Sequence, residues 1–243
     1  EQQRAGLPVL QQILRRHRLP IVQAFARANR IDRVTLGSAG AKMGLVTAGK
    51  AWHDVRQALR ALGIDEDRAN ALGVAVYKVG LLWPLEPKAL LAFADGKQEL
   101  CFIEEKTSFV EAQAAALLYN RAERPRITGK TDDTGAPLIP ADVGLESLDL
   151  ALVIAARLRA NGIWDDDLAN RVEAARSWRR TLLTVLAPVE ASRLPFFCSG
   201  CPHNTSTRLP EGSNAISGIG CHGMAMWARP GTLLGTQMGG EGM

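Results

Sequence analysis

The chain has 243 residues, of which 47% are hydrophobic and 22% charged, ordinary values for a globular protein that buries a core. The net charge of +4 is mild and Lys and Arg are scattered among Asp and Glu, which argues against a nucleic-acid stripe. No apolar run is long enough to span a bilayer and no secretory signal opens the chain, so the expectation is a cytoplasmic protein with no membrane partner.

Residues 1–40 read as the helical tail of a preceding domain. Leu10, Ile13, Leu14, Ile21, Phe25 and Ala28 recur at helical spacing, with Pro20 as an interruption. The basic run Arg15–Arg16–His17–Arg18 reads as a solvated helix face. From Lys42 the pattern becomes α/β. MGLVTAG, VAVYKVG and ELCFIEE are short apolar runs that predict buried strands. Between them AWHDVRQALRAL places Val55, Ala58, Leu59 and Leu62 on one helical face, and Asp65 can cap a short helix DEDRANAL. Pro84 and Pro87 open a helix that stops at Gly96. SFVEAQAAALLYN follows, with Ser108 as its N-cap and Glu111 three residues on.

Strands alternating with helices at this spacing imply a three-layer α/β domain over residues 41–130, a parallel sheet with helices on its faces. Ligands gather at the carboxyl ends of such strands. The residues there are Thr47, Gly49, Lys50, Gly80, Trp83, Glu104, Glu105 and Lys106, which suit recognition better than catalysis. No G-x-G-x-x-G is read in the chain, so a dinucleotide site has no support at these strands. Residues 122–144 form a Pro-, Gly- and Asp-rich connector. Leu148 to Ala160 returns to helix, with Leu150, Ile154 and Leu158 four apart and Gly162 ending it. Asp165 to Asp167 begin another helix through Leu186, stopped by Pro188, so that residues 131–191 are connector and helices.

Three of the four cysteines fall in the glycine-dense segment 192–243: Cys198 and Cys201 form C-x-x-C, and Cys221 sits in GIGCH. Clustered thiols without a secretory signal point to metal or redox chemistry, not a disulfide framework. A C-x-x-C turn puts two sulfurs on one side of a tight loop. Gly200 lets it curl and Pro202 stiffens its exit, an arrangement suited to zinc or an iron–sulfur cluster. His203 and His222 can complete a zinc site, touch a cofactor, or hydrogen-bond cluster sulfur. Cys101 reads as core, and His17 and His53 as structural. Gly239 and Gly240, before Glu241, permit close backbone approach to a ligand.

CSGCPHNTST, PEGSNAISGIGCH and TQMGGEG, in that order, resemble the bacterial indolepyruvate ferredoxin oxidoreductases, thiamine-diphosphate enzymes of the 2-oxoacid:ferredoxin oxidoreductase superfamily. Upstream, GLVTAGKAWHDVRQALRALGID, YKVGLLWPLEP, CFIEEKTSFVEAQ and YNRAERPRITGK look like the transketolase-C-terminal-like domain of that family. The resemblance implies oxidative decarboxylation of an aryl 2-oxo acid such as indolepyruvate. The acyl group would pass to coenzyme A, and electrons through a [4Fe–4S] cluster to ferredoxin. It implies that Cys198, Cys201 and Cys221 ligate the cluster, with a fourth thiolate beyond Met243. Gly220, His222, Gly239, Gly240 and Glu241 would line the thiamine pocket, residues 192–243 being the truncated start of the thiamine-diphosphate and iron–sulfur domain. Because pockets shared between subunits are usual in that family, the resemblance also implies a homo-oligomer.

The Gly-Asp-Gly element that holds Mg2+ and diphosphate in the superfamily is absent, and the activating carboxylate belongs to an upstream domain. The chain also lacks an initiator Met and stops at GGEGM. The expectation is therefore an internal piece of a longer polypeptide, inactive in isolation. The competing readings are a non-catalytic zinc module, using Cys198, Cys201, Cys221 and His203 or His222, and a purely structural docking domain.

Overall fold

The computed structural model describes residues 6–38, 40–185 and 194–234, which fall into two compact units, 6–185 and 194–234. The first unit begins with α1 (Leu7–Ile13), a π-helical turn over Leu14–Arg18, and α2 (Leu19–Ala28). Pro20 explains the wide turn. It cannot donate to the carbonyl of Arg16 and its ring crowds that oxygen, so the register loosens just upstream. Ala26 is buried on α2. The helix is fastened by Gln23 Nε2, which donates to the Leu85 carbonyl at 2.8 Å, and by the Arg27–Glu86 ion pair.

A five-stranded sheet follows, made of β1 (Arg33–Leu36), β2 (Met43–Ala48), β3 (Val74–Val79), β4 (Glu99–Ile103) and β5 (Arg126–Thr128). Its order is β1-β3-β2-β4-β5. All neighbours are parallel except β1, which runs antiparallel to β3 at one edge. The three strands read from the apolar runs are the central three. The two edges differ from expectation: residues 33–36, assigned to a helical tail, and residues 126–128, assigned to a connector, both pair into the sheet.

The helices are α3 (Gly49–Ala61), α4 (Glu66–Leu72), α5 (Pro87–Ala94), α6 (Val110–Leu118), α7 (Ser147–Ala160) and α8 (Asp166–Val185). Strand side chains alternate between two cores, as a period of two requires. Met43, Leu45, Val76, Cys101 and Ile103 face Val55, Leu59 and Leu62 of α3, Ile154 and Leu158 of α7, and Leu168 and Val172 of α8. Val46, Tyr77, Leu100 and Phe102 face Leu90 and Phe93 of α5 and Val110, Ala114 and Leu118 of α6. Three layers result, α/β/α, and the last two helices are part of them.

Local signals account for most helix boundaries. Asp65 caps α4, its Oδ1 accepting the Arg68 N–H at 2.9 Å, and Gly73 ends that helix at φ +70. Pro87 occupies the first turn of α5, and Glu86 accepts the N–H groups of Lys88 and Ala89. Asp165 Oδ1 accepts the Leu168 N–H at 2.9 Å and so caps α8. Ser108 does not cap α6. Glu104 does so from the preceding loop, its carboxylate accepting the N–H groups of Phe109, Val110 and Glu111 at 2.8 to 3.2 Å. A charged acceptor with two oxygens satisfies three orphan donors, which one hydroxyl cannot.

In the second unit α9 (His203–Ser206) is followed by β6 (Ala215–Ser217), a 3-10 turn at Cys221–Met224, α10 (Ala225–Ala228) and β7 (Thr232–Leu234). β6 and β7 are parallel.

Candidate functional site

The carboxyl ends of the central strands hold the expected residues, and their polar groups are largely taken. Lys50 Nζ meets Asp54 Oδ2 at 3.1 Å, Glu105 Oε1 at 3.2 Å and the Leu145 carbonyl at 2.9 Å. Asp54 and then Glu105 raise the Lys50 ammonium above its ordinary range. The Leu145 N–H, and then Lys50, hold Glu105 below the usual carboxylate range. Lys106 Nζ donates to the Asp142 carbonyl at 2.9 Å. Lys130 Nζ donates to the carbonyls of Glu104 and Pro140. Thr47 is buried, Trp83 is exposed, and Gly80 donates its N–H to Asp32 Oδ1 at 2.7 Å. This end of the sheet is braced by the segment after β5 and offers no acid–base or nucleophile set.

The second unit carries the cysteine segment. The Cys201 N–H donates to the Cys198 carbonyl at 3.0 Å, closing the C-x-x-C turn, and Gly200 supplies φ +76 within it. Asn204 Nδ2 also donates to the Cys198 carbonyl at 3.0 Å. Cys201 Sγ lies 3.3 Å from His203 Nδ1. The His203 ring stacks on Phe197, with centroids 5.5 Å apart and 17° between planes, and stands 6.2 Å from the His222 ring. Cys198 and Cys221 are exposed and Cys201 is half-buried, all three as free thiols.

The three sulfurs are not assembled as the spacing suggested. Among the described residues no group of three or more His, Cys, Asp or Glu side chains is placed to hold a metal ion. The donor chemistry nevertheless suits a soft metal: two exposed thiols and one half-buried one on two glycine turns, with two imidazoles 6.2 Å apart beside them. Ligands of this kind repel one another as thiolates and commonly converge only when the metal binds.

His222 Nδ1 accepts the Gly218 N–H at 3.0 Å, which leaves Nε2 as the ring's donor. His222 also lines a cleft of about 610 Å3 with Thr207, Asn214, Ile216 and Thr232. Gly220 has φ +88 and open space where a Cβ would stand, so backbone is accessible to a ligand there. These features fit residues that border a cofactor. Gly239, Gly240 and Glu241 lie outside the described residues.

Contrary to the expectation of no glycine fingerprint, this loop carries one. Gly218, Gly220 and Gly223 have the G-x-G-x-x-G spacing, and they lie between the parallel strands β6 and β7. The helical stretch after them is only a 3-10 turn and a four-residue helix, shorter than a dinucleotide fingerprint calls for. The glycine spacing is legible in GIGCHG itself, whereas the three-residue strand AIS before it gives no periodicity.

A sequence profile of the indolepyruvate oxidoreductase domain matches residues 33–182. The indolepyruvate oxidoreductase subunit IorA of Thermococcus kodakarensis is 27% identical over 191 residues, which are 76% of this chain and 26% of that protein. The chain thus spans about a quarter of the length of the curated relative it matches. Among solved structures, a 2-oxoglutarate:ferredoxin oxidoreductase from Magnetococcus marinus gives a TM-score of 0.38 at 16% identity, over 58% of this chain and 23% of that one. An inactive split-gene transketolase tetramer gives 0.32 at 18% identity, over 60% and 41%. The profile covers most of the chain, from edge strand β1 nearly to the end of α8, and the chain belongs to the indolepyruvate oxidoreductase domain family.

Proposed function

We propose that this chain is part of an oxidoreductase that oxidatively decarboxylates aryl 2-oxo acids, indolepyruvate among them, to acyl-CoA, with ferredoxin as electron acceptor. The observation that carries the reading is the domain match over residues 33–182, followed in sequence by the C-x-x-C and GIGCH turns. In this reading Cys198, Cys201 and Cys221 hold three corners of a [4Fe–4S] cluster and the fourth thiolate comes from another segment. The accessibility of these thiols supports it. Bound thiamine diphosphate with Mg2+ would supply the carbanion chemistry of the decarboxylation.

This chain's own residues border that chemistry. Gly220 lets backbone approach the cofactor, and His222 offers an N–H at Nε2, its Nδ1 being held by Gly218. Gly239, Gly240 and Glu241, outside the described residues, would belong to the same pocket by their motif alone. Residues 33–182 act as the bracing domain, consistent with the self-satisfied carboxyl end of the sheet. Activity needs the remainder of the enzyme, working as a homo-oligomer in the cytoplasm, and this chain alone turns over no substrate.

The alternative is a non-catalytic zinc module using the same cysteines with His203 or His222. The 3.3 Å approach of His203 Nδ1 to Cys201 Sγ is the observation in its favour. Metal identity decides between the two. The intact protein is purified anaerobically and assayed for iron, acid-labile sulfide and zinc, beside a Cys198→Ala/Cys201→Ala variant. Loss of about one four-iron cluster in the variant supports the oxidoreductase. Zinc, or no change in metal, removes the cluster.

A further inference from the structure

Within the sheet unit, β1, the carboxyl-terminal half of α3 and α8 border a cleft of about 560 Å3. That is a size typical of small-molecule sites. Its floor is apolar: Leu59, Ile64 and Val76 are buried there. Its rim carries three arginines, Arg56 and Arg60 one turn apart on α3, and Arg171 on α8. The Arg171 guanidinium rests on Gly63, where a Cβ would come within 2.3 Å of its Cζ. Any larger residue at 63 would push it away from the rim.

The charges of the rim are unevenly matched. Asp65 is engaged in capping α4, and Glu66 Oε1 accepts the Gly37 N–H at 3.0 Å. Asp167 pairs with Arg171 at 2.9 Å. Arg56 lies over the Trp52 ring, 4.9 Å from its centroid. Among the described residues Arg60 has no carboxylate partner. Guanidinium groups gathered over an apolar floor match an anionic head on a flat apolar body, because the planar fork binds carboxylate and phosphate alike.

We propose that this cleft is a binding site for an organic anion, its body against Leu59, Ile64 and Val76 and its carboxylate or phosphate between Arg60 and Arg171. The proposal does not depend on the cysteine segment or on the reaction proposed above.

The test is calorimetric titration of the intact protein at low salt with two probes in separate runs, indole-3-acetate for the carboxylate and adenosine 3′,5′-bisphosphate for the phosphate. The same runs are made on Arg60→Glu and on Leu36→Trp, which fills the cleft from β1; circular dichroism checks that both fold. The expected result is a binding event of unit stoichiometry with one probe, weakened at least tenfold in both variants. Which probe binds tells the head group. If neither probe binds, or if the event survives in either variant, the site is overturned.

Discussion

Glu99, at the amino end of β4, and Arg157, on α7, form a two-pronged ion pair. Arg157 Nε donates to Oε1 at 2.8 Å and Nη2 to Oε2 at 2.7 Å. Their side chains are 0% and 6% exposed. Thr128 of β5 donates to the same carboxylate at 2.7 Å and Asn161, just after α7, at 2.9 Å. One buried charge thus fastens the end of α7 to two strands of the sheet, and Asp133 holds the outer side of Arg157 at 2.8 Å.

Removing one partner of such a pair strands the other. Arg157→Met leaves Glu99 with Arg126, 3.6 Å away, as its remaining cation and is expected to cost about 3 kcal/mol, the low end of the penalty for breaking a buried pair. Urea denaturation followed by circular dichroism measures it. A loss under about 1 kcal/mol, the scale of an exposed pair, would mean that water reaches Glu99.

The same carboxylate sets a pH dependence. Burial alone pushes the Glu99 carboxyl up, but hydrogen bonds from Arg157, Asn161 and Thr128 outweigh it and hold it below its ordinary 4.5. A carboxyl depressed by folding adds its full stability above the unfolded value and loses it as pH falls through the folded one. The urea midpoint of the wild type is therefore expected to drop as pH falls below 4.5. In Glu99→Gln that acid limb should be shallower. An equally steep limb in the variant would assign the acid sensitivity to other carboxylates.

The capping of α6 distinguishes two residues four positions apart in sequence, Glu104 and Ser108. Glu104→Ala leaves the N–H groups of Phe109, Val110 and Glu111 without their acceptor and should cost about 1 kcal/mol or more, within the roughly 0.5–2 kcal/mol range of lost caps. Ser108→Ala should stay within about 0.5 kcal/mol, as a surface change away from any cap does. Thermal unfolding of the two variants side by side checks the assignment, and the reverse order would return the cap to Ser108.

What the sequence made legible follows from how strongly each element is buried. β2 and β4 are buried on both faces and read as apolar runs, and Asp65 and Pro87 mark helix starts by chemistry that acts locally. β1 and β5 are edge strands of four and three residues, with exposed Arg33 and Arg126, so no periodicity could accumulate in RVTL or RIT. Their pairing comes from partners more than twenty residues away. The Glu104 cap was hidden for a related reason: it acts across a loop, five to seven residues from its donors, beyond the three-residue spacing of a capping box. The C-x-x-C turn was legible because its geometry is local. Convergence of Cys221 with it is a long-range property that spacing cannot fix.

Exposure ranks the four thiols, and that ranking can be read chemically in metal-free protein. Cys198 and Cys221 are exposed, Cys201 is half-buried beside His203, and Cys101 is 0% exposed in the core of the sheet. Burial pushes the Cys101 thiol up to about 12, so almost none of it is the reactive thiolate at neutral pH. Iodoacetamide labelling followed by peptide mass spectrometry should mark Cys198 and Cys221 first, Cys201 later, and Cys101 only after unfolding in urea. Reconstitution with iron and sulfide under anaerobic conditions should then protect the first three together and leave Cys101 as it was. Protection of Cys198 and Cys201 without Cys221 would break the proposed ligand set, because a cluster held by the C-x-x-C turn alone would draw its remaining thiolates from elsewhere.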